Sequence, residues 1–150
     1  MRTWTTQTQV RGLPDEVMAL LTEPDAIARW APIPFEVVDF DGDRLQAGDR
    51  VRVRGGLGGL GGRSLEFDVE VAEAADGCLT VTATGPIRIE VRYVARALAR
   101  GSELRASVAV TGVGLLGRLV ARATDALLAA GALNAALGRI SRELEPALVA

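Results

Sequence analysis

The C-terminal part of this chain constrains the fold more than any other feature of the sequence. Segments in which apolar and polar residues alternate give way near Gly114 to about thirty residues of uninterrupted helical pattern. The simplest arrangement with this order of elements is an antiparallel sheet wrapped against one long C-terminal helix. Because a sheet curved around a helix can enclose an apolar cavity, the pattern predicts an α+β fold with space for a ligand. It does not predict a reaction.

The length and composition are typical of a single domain over residues 1–150. A chain of this length buries roughly 68–70% of the surface that its unfolded state exposes, so its stability requires no metal or disulfide. The net charge of -2 gives no electrostatic basis for binding nucleic acid. The most apolar stretch, 126–137, is too short to span a bilayer, so we expect a buried helix there and no membrane insertion.

The N-terminal segment and the cysteine content predict a cytoplasmic protein. The start of the chain lacks the apolar core of a secretory signal peptide. The single cysteine, Cys78, has no partner for an intramolecular disulfide, as is usual in the reducing cytoplasm. Cys78 follows a turn at Asp76 and Gly77, where a structural role is expected.

Two residue types are missing from the chain, and their absence excludes several kinds of site. The sequence contains no histidine, and all of its basic residues are arginine. Without an imidazole there is no Ser-His or Cys-His nucleophile pair and no histidine-ligated metal. Without lysine there is no Schiff-base chemistry and no lysine of a phosphate-binding loop. We therefore expect neither a metal nor a cofactor.

The first part of the chain predicts one strand followed by two short helices. Residues 3–10 are rich in β-branched and aromatic types, which favour a strand. Pro14 suits the first turn of a helix, and the two carboxylates after it favour the positive end of the helix dipole. A second helix begins at Pro24, with Thr22 as a candidate cap, and ends before Pro32.

From Phe35 to Thr111 the pattern has a period of two, interrupted by turns at 41–43, 76–77 and 85–86. It predicts six further half-buried strands, and therefore a seven-stranded antiparallel sheet. The charged residues that alternate with the apolar ones are expected to form a solvated ladder of cross-strand pairs. An arginine-lined anion site is the less favoured alternative.

Two motifs match ligand-binding patterns only superficially. Residues 56–61 fit the dinucleotide pattern Gly-x-Gly-x-x-Gly, but they lead into a strand-like segment instead of the helix that would face a pyrophosphate. A flexible hairpin connection, in one version a gate over a cavity mouth, is the better interpretation. Asp39, Asp41 and Asp43 have the spacing of a calcium loop, yet Arg44 and Arg50 occupy the positions that require glycine and glutamate. A hairpin turn explains these aspartates.

The helical segment combines an apolar face with a stripe of small residues. Leu116 and Leu137 belong to the apolar face. Beside it, Gly117, Thr124, Gly131 and Gly138 follow one another at intervals of seven. A glycine inside a helix costs about 0.5–1 kcal/mol relative to alanine, so the stripe suggests close approach to the sheet, space for a ligand, or chance.

The inward face of the predicted sheet and helix defines the candidate binding site. Its polar groups are Thr6, Thr8, Tyr93, Asn134 and the indole N–H of Trp30, which in most proteins only satisfy local hydrogen bonds. An acid or base in the cavity would be Tyr93 or a residue outside the strands, namely Glu23, Asp25 or Arg29. We expect the following residues to bind ligand: Trp30, Phe35, Phe67, Val69, Val81, Ile89, Val91, Tyr93, Val108, Val120, Ala123, Leu127 and Asn134.

This order of elements resembles the START/Bet v 1-like (SRPBCC) superfamily, and within it the bacterial polyketide cyclase/dehydrase-like proteins. The resemblance extends from about Thr3 to Leu148. Its most specific part is the segment LPDEVMALLTEPDAIARWAP, with Pro14-x-Glu16-Val17, Leu21, Pro24 and Arg29-Trp30-x-Pro32. The resemblance implies a helix-grip fold whose cavity, between sheet and C-terminal helix, binds lipids, polyketides, steroids or other apolar molecules.

The resemblance leaves three functional hypotheses open, because relatives with this fold are cyclases, aromatases, ligand carriers or regulators. The first is a non-catalytic protein that binds a small hydrophobic ligand. The second is a cyclase- or dehydratase-like enzyme in which Tyr93, Arg29 or a loop carboxylate moves a proton. The third is an interaction module with a filled cavity, possible as a homodimer through the surface of 126–137. The resemblance transfers no catalytic residue to this chain.

Overall fold

The structure is a computed structural model that describes residues 2–31, 35–40, 42–56, 64–112, 114–129 and 131–144. It contains seven strands and four helices. The strands are β1 (Arg2–Val10), β2 (Phe35–Asp39), β3 (Arg50–Gly56), β4 (Ser64–Ala75), β5 (Cys78–Thr84), β6 (Ile87–Ala97) and β7 (Ser102–Gly112). The helices are α1 (Pro14–Thr22), α2 (Pro24–Trp30), α3 (Gly114–Ala129) and α4 (Ala132–Leu144).

All seven strands belong to one antiparallel sheet, as the sequence predicts. Their order across the sheet is β1-β7-β6-β5-β4-β3-β2, so consecutive strands from β2 to β7 are neighbours and β1 closes the other edge against β7. Alternation of side chains places one set of residues on each face. The helices cover one face, and the main hydrophobic core lies between them and the sheet.

The other face of the sheet carries the predicted ladder of ion pairs. Arg52 lies opposite Asp68 and Arg54 opposite Glu66, at 3.5 and 3.3 Å between nitrogen and oxygen. All four side chains are well exposed to solvent. Each such pair contributes at most about 1 kcal/mol, so the ladder mainly specifies which face is outside.

The C-terminal helical segment is divided into two helices. Gly131 adopts a φ of 93°, and its N–H donates to the carbonyl of Leu128 over 3.1 Å, which ends α3. A positive φ is strained for residues with a side chain, so glycine at this position allows the chain to turn. The sequence pattern, which runs on without interruption, did not indicate this division. Helix α3 packs on β6 and β7, whereas α4 packs on β1 and against α1 and α2.

The small-residue stripe has a different explanation at each position. A Cβ on Gly117 would lie 2.7 Å from the carbonyl oxygen of Pro86, so this glycine permits close approach to the sheet. Gly131 provides the turn between helices, and Gly138 has open space around its missing side chain. Thr124 is fully buried, and its hydroxyl donates to the carbonyl of Val120 over 2.9 Å.

The apolar stretch 126–137 contributes to the core. Leu133, Ala136 and Leu137 are buried, Ala136 to 0% exposure, whereas Ala129 and Ala135 are exposed. An arginine at position 136 would therefore disrupt the core and would not test an oligomer surface. No helix in the described part of the chain is long and apolar enough to cross a lipid bilayer. The predicted hairpin connection and gate fall on 57–63, and Asp41 of the predicted turn is also outside the described residues.

Candidate functional site

A cavity of about 200 Å³ lies between α2 and the curved sheet. Strands β2 to β6 supply most of its wall, helix α2 supplies one side, and Leu45 and Thr124 complete it. None of the described residues that line it is charged. The lining residues are Pro24, Ile27, Trp30, Ala31, Phe35, Val37, Leu45, Val51, Val53, Gly55, Phe67, Val69, Leu79, Val81, Ala83, Ile89, Val91, Tyr93 and Thr124.

The wall follows directly from strand alternation and register. In one row across the sheet, Val51 pairs with Val69, Val69 with Ala83, and Ala83 with Ile89. Directly paired residues present their side chains on the same face, so a row of small and β-branched side chains forms a continuous apolar floor. Helix α2 then covers part of this floor with Ile27 and Trp30.

Eight of the residues expected from the sequence to bind ligand lie in this wall. They are Trp30, Phe35, Phe67, Val69, Val81, Ile89, Val91 and Tyr93.

The remaining expected residues do not line the cavity or are not described. Val108 and Val120 are buried elsewhere in the core. Asn134 is exposed, and its Oδ1 accepts a hydrogen bond from the hydroxyl of Thr6. It therefore does not have the inward position that helical periodicity predicted, because α4 is a separate helix that packs against β1. The side chains of Ala123 and Leu127 are outside what the structure describes.

Several lining residues were absent from the sequence-based list. Val51, Val53 and Ala83 belong to the same alternating pattern as the residues that were included, so the signal for them was present. Thr124 was noted only as part of the small-residue stripe. Leu45 lies between strands, and only the folded chain brings it to the cavity: its N–H donates to the carbonyl of Thr22 over 2.8 Å.

Trp30 contributes an apolar ring to the site, while its polar atom is engaged elsewhere. The indole Nε1 donates to the carbonyl of Leu20 in α1 over 2.7 Å. The ring meets that of Tyr93 edge to face, with centroids 5.1 Å apart. The indole N–H, considered from the sequence as an inward polar group, is therefore satisfied by the backbone.

Tyr93 is the lining residue whose polar atom remains unpaired. Its side chain is only 2% exposed, and its hydroxyl has no hydrogen-bond partner among the described residues. Burial raises the pKa of Tyr93 far above its ordinary value, and the positive charge of Arg139 opposes this only in part. Tyr93 is consequently a neutral phenol at physiological pH.

Two arginines hold α2, one side of the cavity, against α4. Arg139 donates from Nε and Nη2 to the carbonyl of Trp30, over 3.3 and 3.2 Å, and from Nη2 to that of Ala31, over 2.9 Å. These carbonyls lie at the C-terminus of α2, where the helix leaves acceptors without intrahelical donors. Arg29 of α2 forms an ion pair of 2.6 Å with Glu143 of α4.

The acids and bases considered outside the strands lie away from the cavity. Arg29 is engaged with Glu143 at the surface, and Glu23 forms an exposed pair with Arg44 at 3.8 Å. Asp25 is exposed on the first turn of α2. The described residues contain no group of three or more histidine, cysteine, aspartate or glutamate side chains suited to a metal ion.

Comparison with known proteins shows the fold. No family model and no curated protein matches this sequence. Protein CV1439 from Chromobacterium violaceum superimposes with a TM-score of 0.72 at 16% identity, over 97% of this chain and 99% of that one. A START superfamily protein from Mycobacterium smegmatis gives 0.65 at 16% identity, over 95% and 99%. DynU16, a putative protein in the dynemicin biosynthetic locus, gives 0.59 at 22% identity, over 95% of this chain and 46% of that one. The START/Bet v 1-like helix-grip fold predicted from the sequence is thereby confirmed.

Proposed function

We propose that this protein, which has the START/Bet v 1-like helix-grip fold, binds a small hydrophobic molecule such as a lipid or polyketide without transforming it. The observation that carries the proposal is the cavity beneath α2, whose described wall contains no charged side chain. A ligand in this space would gain roughly 25 cal/mol for each Å² of apolar surface removed from water.

The dimensions of the cavity favour a compact ligand. Its volume of about 200 Å³ is below the 300–1,000 Å³ that is usual for sites of drug-sized molecules. The cavity also argues against the interaction module with a filled interior, because the space between sheet and α2 is open. The biosynthetic locus of DynU16 supports testing biosynthetic intermediates among the candidate ligands.

The positions of the ionisable groups favour binding over a cyclase- or dehydratase-like reaction. General acid and base catalysis requires a proton donor or acceptor within hydrogen-bond distance of the reacting atoms, with a pKa near the working pH. Glu23 and Arg29 form surface ion pairs. Burial moves the pKa of Tyr93 away from neutrality, which makes the phenol a weak acid and its phenolate inaccessible.

A fluorescence titration tests the proposed function. N-phenyl-1-naphthylamine is a neutral probe whose emission rises in apolar surroundings, and we expect saturable binding to the wild-type protein. In Ala83→Trp, an indole from the cavity floor occupies the space and binding is lost. The matched control is Thr82→Trp, whose side chain projects from the other face of β5 and which should bind the probe like wild type.

Two results would overturn the proposal. One is a wild-type protein that does not bind the probe. The other is an Ala83→Trp protein that is folded, as judged by circular dichroism, and still binds the probe as tightly as wild type. Native mass spectrometry of freshly purified protein gives an independent result, since a co-purifying apolar molecule would support binding and identify its chemical class.

A further inference from the structure

The cavity wall offers a ligand one unpaired polar group. Three lining side chains carry a polar atom: Trp30, Thr124 and Tyr93. The indole N–H of Trp30 is bound to the carbonyl of Leu20 and the hydroxyl of Thr124 to that of Val120, over 2.7 and 2.9 Å. The hydroxyl of Tyr93 is buried without a partner among the described residues. A buried hydroxyl without a partner costs free energy that a ligand acceptor would recover.

The charges around the cavity disfavour an anionic ligand. The guanidinium of Arg139, whose charge acts on Tyr93, already donates to the carbonyls of Trp30 and Ala31. No charged side chain lies in the described wall. A carboxylate entering the cavity would therefore lose its hydration without gaining a counter-ion, which is strongly unfavourable.

We infer that the ligand is a neutral molecule with a hydrogen-bond acceptor, such as a ketone, ester or ether oxygen, and that the Tyr93 hydroxyl donates to this oxygen. The inference rests on the proposed binding function and adds the chemical class of the ligand.

The same contact would orient the ligand. Tyr93 lies beside Trp30 at one end of the wall, and Ile89 lies four residues away along β6, or about 13 Å at the usual rise of a strand. The oxygen is accordingly placed beside Tyr93, and the hydrocarbon part extends along the apolar row that contains Ile89.

Three molecules of similar shape test this inference: 2-ethylnaphthalene, 2-acetonaphthone and 2-naphthoate. Isothermal titration calorimetry measures the affinity of each for wild type and for Tyr93→Phe. We expect the affinity ratio of the ketone to the hydrocarbon to fall about three- to tenfold in Tyr93→Phe, the effect of losing one neutral hydrogen bond. The ratio cancels the different costs of removing the two molecules from water. The carboxylate should bind wild type more weakly than the ketone.

Thr82→Val is the matched control, because it removes a hydroxyl from β5 on the face away from the cavity. Its affinity ratio should equal that of wild type. A measurement on wild type alone gives a second test: the carbonyl stretching band of bound 2-acetonaphthone should lie at lower frequency than in an apolar solvent, since a donated hydrogen bond weakens the C=O bond.

The outcomes separate this inference from the function on which it rests. If none of the three molecules binds wild type, the proposed binding function is wrong and the inference is wrong with it. If 2-ethylnaphthalene binds but the ratio is unchanged in Tyr93→Phe, or the carbonyl band is not shifted, the binding function stands and the role of Tyr93 is overturned. Tighter binding of 2-naphthoate than of the ketone would overturn the neutral ligand class.

Discussion

The ring of Trp30 meets the ring of Tyr93 edge to face, with centroids 5.1 Å apart and planes inclined at 72°. The contact joins α2 to β6 at one end of the apolar cavity. Aromatic pairs in this geometry contribute about 0.5–1.5 kcal/mol beyond the burial of their surface. The contact therefore fixes the phenol ring without giving its hydroxyl a hydrogen-bond partner, and two predictions follow from that combination.

Removing the Tyr93 hydroxyl should stabilise the ligand-free protein. We expect Tyr93→Phe to raise the free energy of unfolding by about 1 kcal/mol, because it retains the ring and removes a buried polar atom without a partner. Urea unfolding measures the change. Thr124→Val, which removes a hydroxyl bonded within its own helix, should change the stability by less than about 0.5 kcal/mol. A clear loss of stability in Tyr93→Phe would mean that the hydroxyl has a partner after all.

Tyr93 should resist ionisation as long as the protein is folded. It is the only tyrosine of the chain, so phenolate absorbance near 295 nm reports on it alone. Its folded pKa is raised above the unfolded value of about 10, so its contribution to stability is complete below pH 10 and is lost as the pH rises further. We expect no phenolate signal from folded protein at about pH 10.5 and a full signal in urea. Folded protein that titrates near pH 10 would contradict the burial of the hydroxyl.

Arg139 should be more important for stability than its neighbour in sequence, Arg142. Replacing Arg139 by Gln removes the charged donor from the carbonyls of Trp30 and Ala31, and we expect a loss of about 1.5–3 kcal/mol. Arg142 is exposed, and Arg142→Gln should cost less than about 0.5 kcal/mol. Urea unfolding gives both values, and hydrogen exchange should show faster opening of α2 in Arg139→Gln. Equal stability of the two variants would show that the cap on α2 is not important.

Two glycines of the small-residue stripe should respond in opposite ways to alanine. In Gly117→Ala the new methyl group would meet the carbonyl oxygen of Pro86 at 2.7 Å, so the backbone must shift and stability should fall by about 1–3 kcal/mol. Gly138 has no atom within 4 Å of its missing Cβ, and Gly138→Ala should stabilise α4 by about 0.5–1 kcal/mol. Thermal unfolding of both variants is the measurement. A neutral Gly117→Ala would mean that α3 does not approach the sheet this closely.

The candidate site could be predicted from the sequence wherever it depends on strand alternation. Val69, Val81, Ile89 and Val91 were assigned correctly to the inward face because side chains on a strand alternate with a period of two. The same reasoning failed for Asn134. Its assignment assumed one continuous helix, whereas the break at Gly131 begins a new helix with its own direction and its own partner, β1.

The sequence by itself determined the elements of this protein: the seven strands, the two short helices opened by Pro14 and Pro24, the apolar face of the sheet and the absence of histidine chemistry. These follow from local backbone geometry and residue type, which a periodic pattern records. The tertiary structure alone decided which polar atoms are paired. The carbonyl of Leu20 satisfies Trp30 and that of Ala31 engages Arg139, whereas Tyr93 has no partner among the described residues. Hydrogen-bond partners distant in the chain come together only when helices pack on the sheet, and no local pattern encodes that proximity.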